Sequence, residues 1–389
     1  MNLTSIEKKA ALSLAGIYGL RMFGLFLVIP VLFIHAQSLH GFTPLLAGMA
    51  IGIYGLGQAI LQIPFGYLSD RIGRKPVIII GLLIFALGSI IAANAESVWM
   101  LIIGRAMQGA GAIASTLMAL AADLSRPELR SRMMAVIGAT IGASFILALI
   151  AGPWLSEIVG TAGLFYITAA LALLAIAVLH WVTPMGELKV GNLAVLPAKQ
   201  QLYAVVANTQ LLRLNLGIFF LHLFLTAIFV IIPGQLISYG LELKSHSLTY
   251  LVLLLGSFIL MLPGLIMVEK YKAHKVGFLV SVGLLVIANL IMGLLDNLIG
   301  LISGLALFFM SFNFLEASLP ALVSRLCNAE SRGTAMGVYS TSQFAGAFLG
   351  GVLAGLILQY GESQMIFLCL AGFSVLWLLT VFTMKPMMK

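Results

Sequence analysis

Apolar stretches of about twenty residues recur along the whole chain, separated by short polar links. At about 1.5 Å of rise per residue, each is long enough to cross the hydrocarbon core of a bilayer as a helix. The pattern predicts twelve spans, at 11–35, 45–67, 76–95, 98–122, 131–155, 162–183, 211–239, 246–268, 275–294, 298–323, 333–360 and 363–384. The longest polar link, 184–210, leaves six spans on each side. The expected organisation is an N-terminal six-helix bundle (1–183), a cytoplasmic linker (184–210) and a C-terminal six-helix bundle (211–389).

Composition excludes a soluble globule. The chain is 61% hydrophobic and 9% charged, where a soluble domain carries about a quarter of its residues charged. The net charge of +8 does not point to nucleic acid, because the cations are distributed by side. Of 21 Lys and Arg residues, 17 fall in links on one side, Lys244 alone falls on the other, and Arg21, Arg105 and Arg213 lie within or at the edge of spans. That bias puts both termini in the cytoplasm. The amino terminus has no small-residue cleavage site, so the first span is expected to be retained. The two cysteines, Cys327 and Cys369, fall on different spans with no metal-binding spacing, and predict free thiols.

The halves resemble each other. Pro64 precedes Asp70-Arg71 by six residues, and Pro263 precedes Glu269-Lys270 by six. Arg132 and Arg332 open the fifth and eleventh spans, and Arg21 and Arg213 lie near the starts of the first and seventh. Two six-helix repeats about an axis along the membrane normal place a site at the midplane. The second half's turn, EKYKAHK, lacks the glycines of the first and reads as a degenerate copy.

The densest charge cluster is residues 64–75, PFGYLSDRIGRK. Asp70 stands at the end of the second span, where the helix dipole disfavours a carboxylate. It needs a cation or the amino end of another helix. The turn reads as a conformational latch built from Gly66, Asp70, Arg71, Gly73 and Arg74. Asp123 is a second anion for Arg74, and the start of the eleventh span at Gly333 offers free backbone donors to Asp70.

GYLSDRIGRKP resembles the signature turn between helices 2 and 3 of the major facilitator superfamily, at Gly66, Leu68, Asp70, Arg71, Gly73, Arg74 and Lys75. GRAMQGAGA, at 104–112, resembles a second signature of that superfamily. The likeness extends over essentially the whole chain and is strongest to the proton-driven drug-efflux branch. Members near it often carry a soluble domain after the last span. This chain ends at Lys389, so none is expected. The resemblance implies an all-α membrane protein with twelve helices in two pseudo-symmetric bundles. It also implies that Arg105 takes part in proton coupling. After Gly152-Pro153, antiporters of this branch continue to paired glycines, where this chain has Trp154-Leu155-Ser156. The direction of transport stays open on that point.

Polar groups inside spans are costly and mark function. Glu316 is the one acid well inside a span, and burial favours the neutral form of a carboxyl, so it is the first candidate proton carrier. His222 is the second. Arg21 is a candidate either for an anionic substrate group or for a structural tie. Tyr54 and Gln58, with Gln62, step by four along the second span, and Tyr339 and Gln343 do so along the eleventh. With Asn215, Phe219 and Asn313 they are candidate cavity residues for an amphipathic or aromatic molecule. Glycines at 48, 52 and 55, and at 346, 350, 351 and 355, predict close helix approach.

The expected protein is therefore a monomeric, multi-pass transporter of the bacterial inner membrane that binds a small-molecule substrate and protons. Alternating access would drive export of small amphipathic compounds against proton entry. The alternatives are a proton-coupled symporter importing a metabolite and a non-transporting membrane sensor. No phosphate-cradling G-x-x-x-x-G-K-[ST] loop is present, so the proton gradient is the expected energy source, without a cofactor.

Overall fold

The computed structural model describes residues 4–126, 129–184, 198–327 and 332–384. Among these the chain is helical with no strand beyond a single bridge between His40 and Ser97. Contacts divide it into two compact units, Met1–Leu193 and Ala194–Lys389. Residues 185–197 of the expected linker and the side chain of Arg332 lie outside the described residues.

The first unit contains α1 (Ser5–Leu27), α2 (Ile29–Gln37), α3 (Pro44–Ile72), α4 (Arg74–Ala93), α5 (Val98–Ala110), α6 (Ala114–Asp123) and α7 (Arg130–Trp181). These seven helices make six spans, and each mismatch has a local cause. Pro30, with no N–H to give, separates α1 from α2. The helix is interrupted over Gly111–Ile113, where Gly111 has a ψ of 52°, and this separates α5 from α6. The 52-residue α7 is bent at Gly160, whose φ of 70° and ψ of 170° suit glycine alone, so it holds the fifth and sixth spans. Helix starts are read from side chains: Thr4 and Glu7 form a capping box, and Thr43 and Ser97 cap α3 and α5.

The second unit contains α8 (Ala198–Ala207), α9 (Thr209–Ser238), α10 (Leu243–Tyr271), α11 (His274–Leu294), α12 (Leu298–Leu326), α13 (Arg332–Tyr360) and α14 (Ser363–Phe382). The short α8 lies within the segment expected as linker. The remaining six are each at least twenty residues long, enough to cross a bilayer. At one rim the Tyr239 hydroxyl donates to Asp296 at 2.7 Å, and Gln364 donates to the same oxygen at 2.9 Å. Partial burial, together with that hydrogen bond to a carboxylate, pushes the Tyr239 phenol up to about 12.

Packing within each unit depends on glycine where helices touch backbone to backbone. A Cβ on Gly346 would stand 2.1 Å from the Phe219 carbonyl oxygen, and one on Gly350 would stand 2.2 Å from that of Leu223. These two glycines let α13 lie directly on α9. In the first unit Gly109 meets the Tyr54 carbonyl in the same way, at 2.3 Å. α1 is held to α7 by Ser144 and Thr168, whose hydroxyls donate to the carbonyls of Gly19 and Gly24. The internal repeat reappears in a pair of lysines. Lys75 Nζ donates to the Thr183 carbonyl at 2.7 Å, and Lys275 Nζ to that of Phe382 at 2.8 Å. Each lysine, in the first turn of its own helix, closes the carboxyl end of the last helix of its half, where a cation suits the helix dipole.

Gly350→Leu is expected to destabilise the protein by about 2 kcal/mol or more, through the clash with the α9 backbone. Gly234→Ala, where nothing lies within 4 Å of an added Cβ, should leave the melting temperature in detergent nearly unchanged. Equal melting temperatures for the two variants would refute a backbone-contact role for Gly350.

Candidate functional site

Two polar constellations sit inside spans, one in each unit. In the first, the break between α5 and α6 releases carbonyls that no helix can satisfy, and side chains from other helices take them up. Arg21 on α1 donates through Nη2 to the Gly111 carbonyl at 2.9 Å and to the Tyr54 hydroxyl at 3.0 Å. Gln58 on α3 donates to the Gly109 carbonyl at 2.9 Å. Arg105 on α5 donates to the Ala50 carbonyl of α3 at 3.2 Å and to Gln108 at 2.7 Å, and Gln108 in turn donates to Ser89 on α4. Arg105 also lies over the Tyr54 ring, 5.4 Å from its centroid.

Both guanidinium groups are fully buried, at 0% and 1% exposure, and these bonds go to neutral oxygens. The backbone partner of Arg105 is thus Ala50 of the second span. Arg21, Tyr54, Gln58 and Arg105 thus belong to one internal network that ties α1, α3 and α5 to the helix break. Arg21 Nε and Nη1 have no hydrogen-bond partner among the described residues. The third member of the α3 stripe, Gln62, is buried, and its carbonyl accepts from Ser115.

The second constellation gathers residues from α9, α12 and α13. Gln343 Nε2 is 2.8 Å from His222 Nε2 and 3.4 Å from Glu316 Oε1. His222 Nδ1 is 3.9 Å from Glu316 Oε2. The Glu316 side chain is 38% exposed and that of His222 is 14% exposed, while Glu316 Oε2 and His222 Nδ1 are buried with no hydrogen-bond partner among the described residues. Asn313, one turn from Glu316, donates to Ser257 on α10 at 3.3 Å. Asn215 and Tyr339 are buried on α9 and α13, and neither their amide atoms nor the Tyr339 hydroxyl has a partner among the described residues. Phe219, half-buried, packs edge-on against Phe220. Unsatisfied polar atoms concentrated on three helices suit a ligand with both donors and acceptors.

The rim turns carry matching but rearranged charge networks. In the first unit Arg74 is the hub, 2.5 Å from Asp70 and 3.1 Å from Asp123, with Ser69 as a third partner. Asp70 is 60% exposed on its side chain. Arg71 stacks on and bonds to Tyr67. Gly73, at φ 98°, makes the turn from α3 to α4, and Gly66 faces Ser115 of α6, 3.3 Å from an added Cβ. Gly333 is exposed in the first turn of α13. In the second unit the hub has moved. Arg325, at the end of α12, lies 3.2 Å from Glu269 and 3.3 Å from His274. The EKYKAHK turn is therefore no mere degenerate copy of the first. It keeps an anion at the end of its second helix and takes its cation from the fourth helix instead of the third. The missed partners were legible as the positions about 200 residues after Asp70, Arg74 and Asp123.

A family model described as Major Facilitator Superfamily matches residues 14–314 and again 214–387. The chain belongs to that superfamily. It is 43% identical over 384 residues to the inner membrane transport protein YajR of Escherichia coli (strain K12), covering 98% of this chain and 85% of that one. It is 36% identical over 379 residues to an uncharacterized transporter of Buchnera aphidicola subsp. Baizongia pistaciae (strain Bp), covering 96% of each. More distantly, it is 25% identical over 351 residues to the multidrug resistance protein MdtH of Klebsiella pneumoniae (strain 342), covering 87% of this chain and 84% of that one. Among solved structures it is similar to a bacterial homolog of the human lysosomal transporter Spinster in an inward-facing, occupied conformation. That match has a TM-score of 0.79 at 14% identity, over 98% of this chain and 97% of that one. The nucleoside transporter NupG has a TM-score of 0.73 at 15% identity, over 98% of this chain and all of that one. The protein is a multi-pass secondary transporter of the inner membrane, with the facilitator fold, and not an enzyme.

Arg21→Met is expected to destabilise the first unit by about 1–3 kcal/mol, because it removes buried hydrogen bonds to the Tyr54 hydroxyl and to the Gly111 carbonyl, which keeps only its bond from the Ile113 N–H. Tyr54→Phe, which removes one hydroxyl, should cost about 1 kcal/mol. Thermal unfolding of the purified variants checks both, and an unchanged melting temperature for Arg21→Met would remove the tie.

Proposed function

We propose that this transporter couples proton entry to the export of small amphipathic compounds. The observation that carries the reading is the Glu316 carboxylate: it stands inside a span on a part-exposed side chain, and among the described residues its polar neighbours are His222 and the Gln343 amide, with no Lys or Arg. A carboxylate held without a fixed cation can alternate between a proton and a substrate group. Gln343 reaches both His222 and Glu316 and is placed to exchange bonds as the proton arrives or leaves. Asn215, Tyr339 and Asn313 supply polar contacts around them, and Phe219 an aromatic face.

The buried Arg105 holds its helix against α3 and adds a positive field to the first unit. The name of the distant relative MdtH supports export of drug-like compounds. At the rim, the Asp70–Arg74–Asp123 network acts as the latch. Such partly exposed pairs are worth about 1 kcal/mol, strong enough to bias a two-state cycle and weak enough to break in each turn of it.

In everted vesicles with an acid lumen, adding a transported compound is expected to raise lumenal pH, as protons leave in exchange. Further acidification would instead identify a symporter. Glu316→Gln should abolish this exchange while the compound still binds; retained exchange would exclude Glu316 as the carrier. Asp70→Asn should slow transport several-fold with an unchanged melting temperature, and normal transport by that variant would exclude the latch.

A further inference from the structure

The second unit carries a groove that the transport reading leaves unused. It is formed by α10, α11 and α12 and has a volume of about 280 Å³. Its rim includes Leu260, Met267, Val276 and Val280, each more than half exposed, and its floor includes the buried Met261, Ser311 and Phe314. Such a rim on membrane-spanning helices faces lipid tails. The groove exists because two of its residues are glycines. Gly277 lets α11 close on Phe314, which a Cβ would meet at 2.7 Å, while a Cβ on Gly264 would have nothing within 4 Å.

The groove has a charged mouth. On α10 its positions are 260, 261, 264, 267 and 268, and the next residues on that stripe are Tyr271 and Lys272. On α11 its positions begin at 276 and 277, in the first turn of a helix that starts at His274. At this end of the groove α10 and α11 are joined by a turn at Lys272, which has a left-handed φ of 54°. Lys270 is exposed beside it, with its ammonium 5.5 Å from the Tyr271 ring. The acid of the turn, Glu269, is engaged by Arg325, and Lys275 by the Phe382 carbonyl. Lys270 and Lys272 are therefore exposed cations at the lysine-rich membrane surface, at the turn that ends two of the three helices lining the apolar groove.

We propose that this groove is a binding site for an anionic phospholipid, with one acyl chain lying between α10, α11 and α12 and the phosphate headgroup held by Lys270 and Lys272. A chain and a headgroup joined in one molecule match the groove and its mouth together. A free phosphate would leave the groove unfilled. A zwitterionic lipid would gain less from two cations, because its own positive charge opposes them.

The test is native mass spectrometry of the purified transporter, exchanged into detergent with phosphatidylglycerol or phosphatidylcholine of the same chains. The wild type is expected to retain phosphatidylglycerol several-fold better. Lys270→Gln with Lys272→Gln should bring the two lipids level, and Gly264→Leu, which fills open space, should lower retention of both. Lys8→Gln with Lys9→Gln, an equal loss of charge on α1, should change nothing. In the unaltered protein, phosphatidylglycerol with a photoreactive chain should label peptides within residues 260–284 or 310–314. Equal retention of the two lipids by the wild type would overturn the proposal. So would an equal effect of the Lys8/Lys9 variant, or labelling confined to other helices.

Discussion

A polar group inside the hydrocarbon of a membrane has no water to bond to, so every helix that breaks there must find partners in other helices. The first unit depends on this rule at one place. The fourth span breaks at Gly111–Ile113; there Gln58 takes up the carbonyl of Gly109, and Arg21 adds to the bond that the Gly111 carbonyl accepts from the Ile113 N–H. Backbones also come close at the same break, with Gly109 against Tyr54 and Gly111 against Gly81. Close packing and hydrogen bonding thus fix each other. The glycines bring α3 and α4 near enough for the donors to reach, and the donors make the break tolerable.

The two halves share a plan but spend their polar residues differently. In the first, Arg21 and Arg105 reach carbonyls and neutral side chains across four helices. That arrangement is rigid, because moving any one helix would strand a buried guanidinium. In the second, His222, Gln343 and Glu316 touch one another at distances from 2.8 to 3.9 Å, and several neighbouring polar atoms have no partner among the described residues. Chemistry that must exchange protons and ligands belongs in the second kind of site, where bonds are few and replaceable. The rim networks diverge in the same spirit. Arg74 binds two carboxylates, whereas Arg325 binds one carboxylate and an imidazole, so the second hub is the less strongly neutralised.

The sequence determined the span count, the two-fold repeat and the superfamily. Spans are set by bilayer thickness and the repeat by spacing, and both are one-dimensional properties. The rim ion pair of Arg74 with Asp123 was legible too, since a turn with one surplus cation points to the nearest acid on the same surface. Tertiary structure decided the partners. Arg21 and Gln58 bond to carbonyls beside a three-residue break in a span that reads as continuous, and Arg105 reaches the Ala50 carbonyl of another helix. Arg325 and His274 are 51 residues apart and meet only because α11 and α12 pack together. Likewise Glu316 was visible as a lone acid, but its place beside His222 and Gln343 required α13 to lie on α9, through contacts that glycine alone permits. Hydrophobic patterning records which residues must leave water. Which polar group answers which is settled by helix contact, and no single helix carries that information.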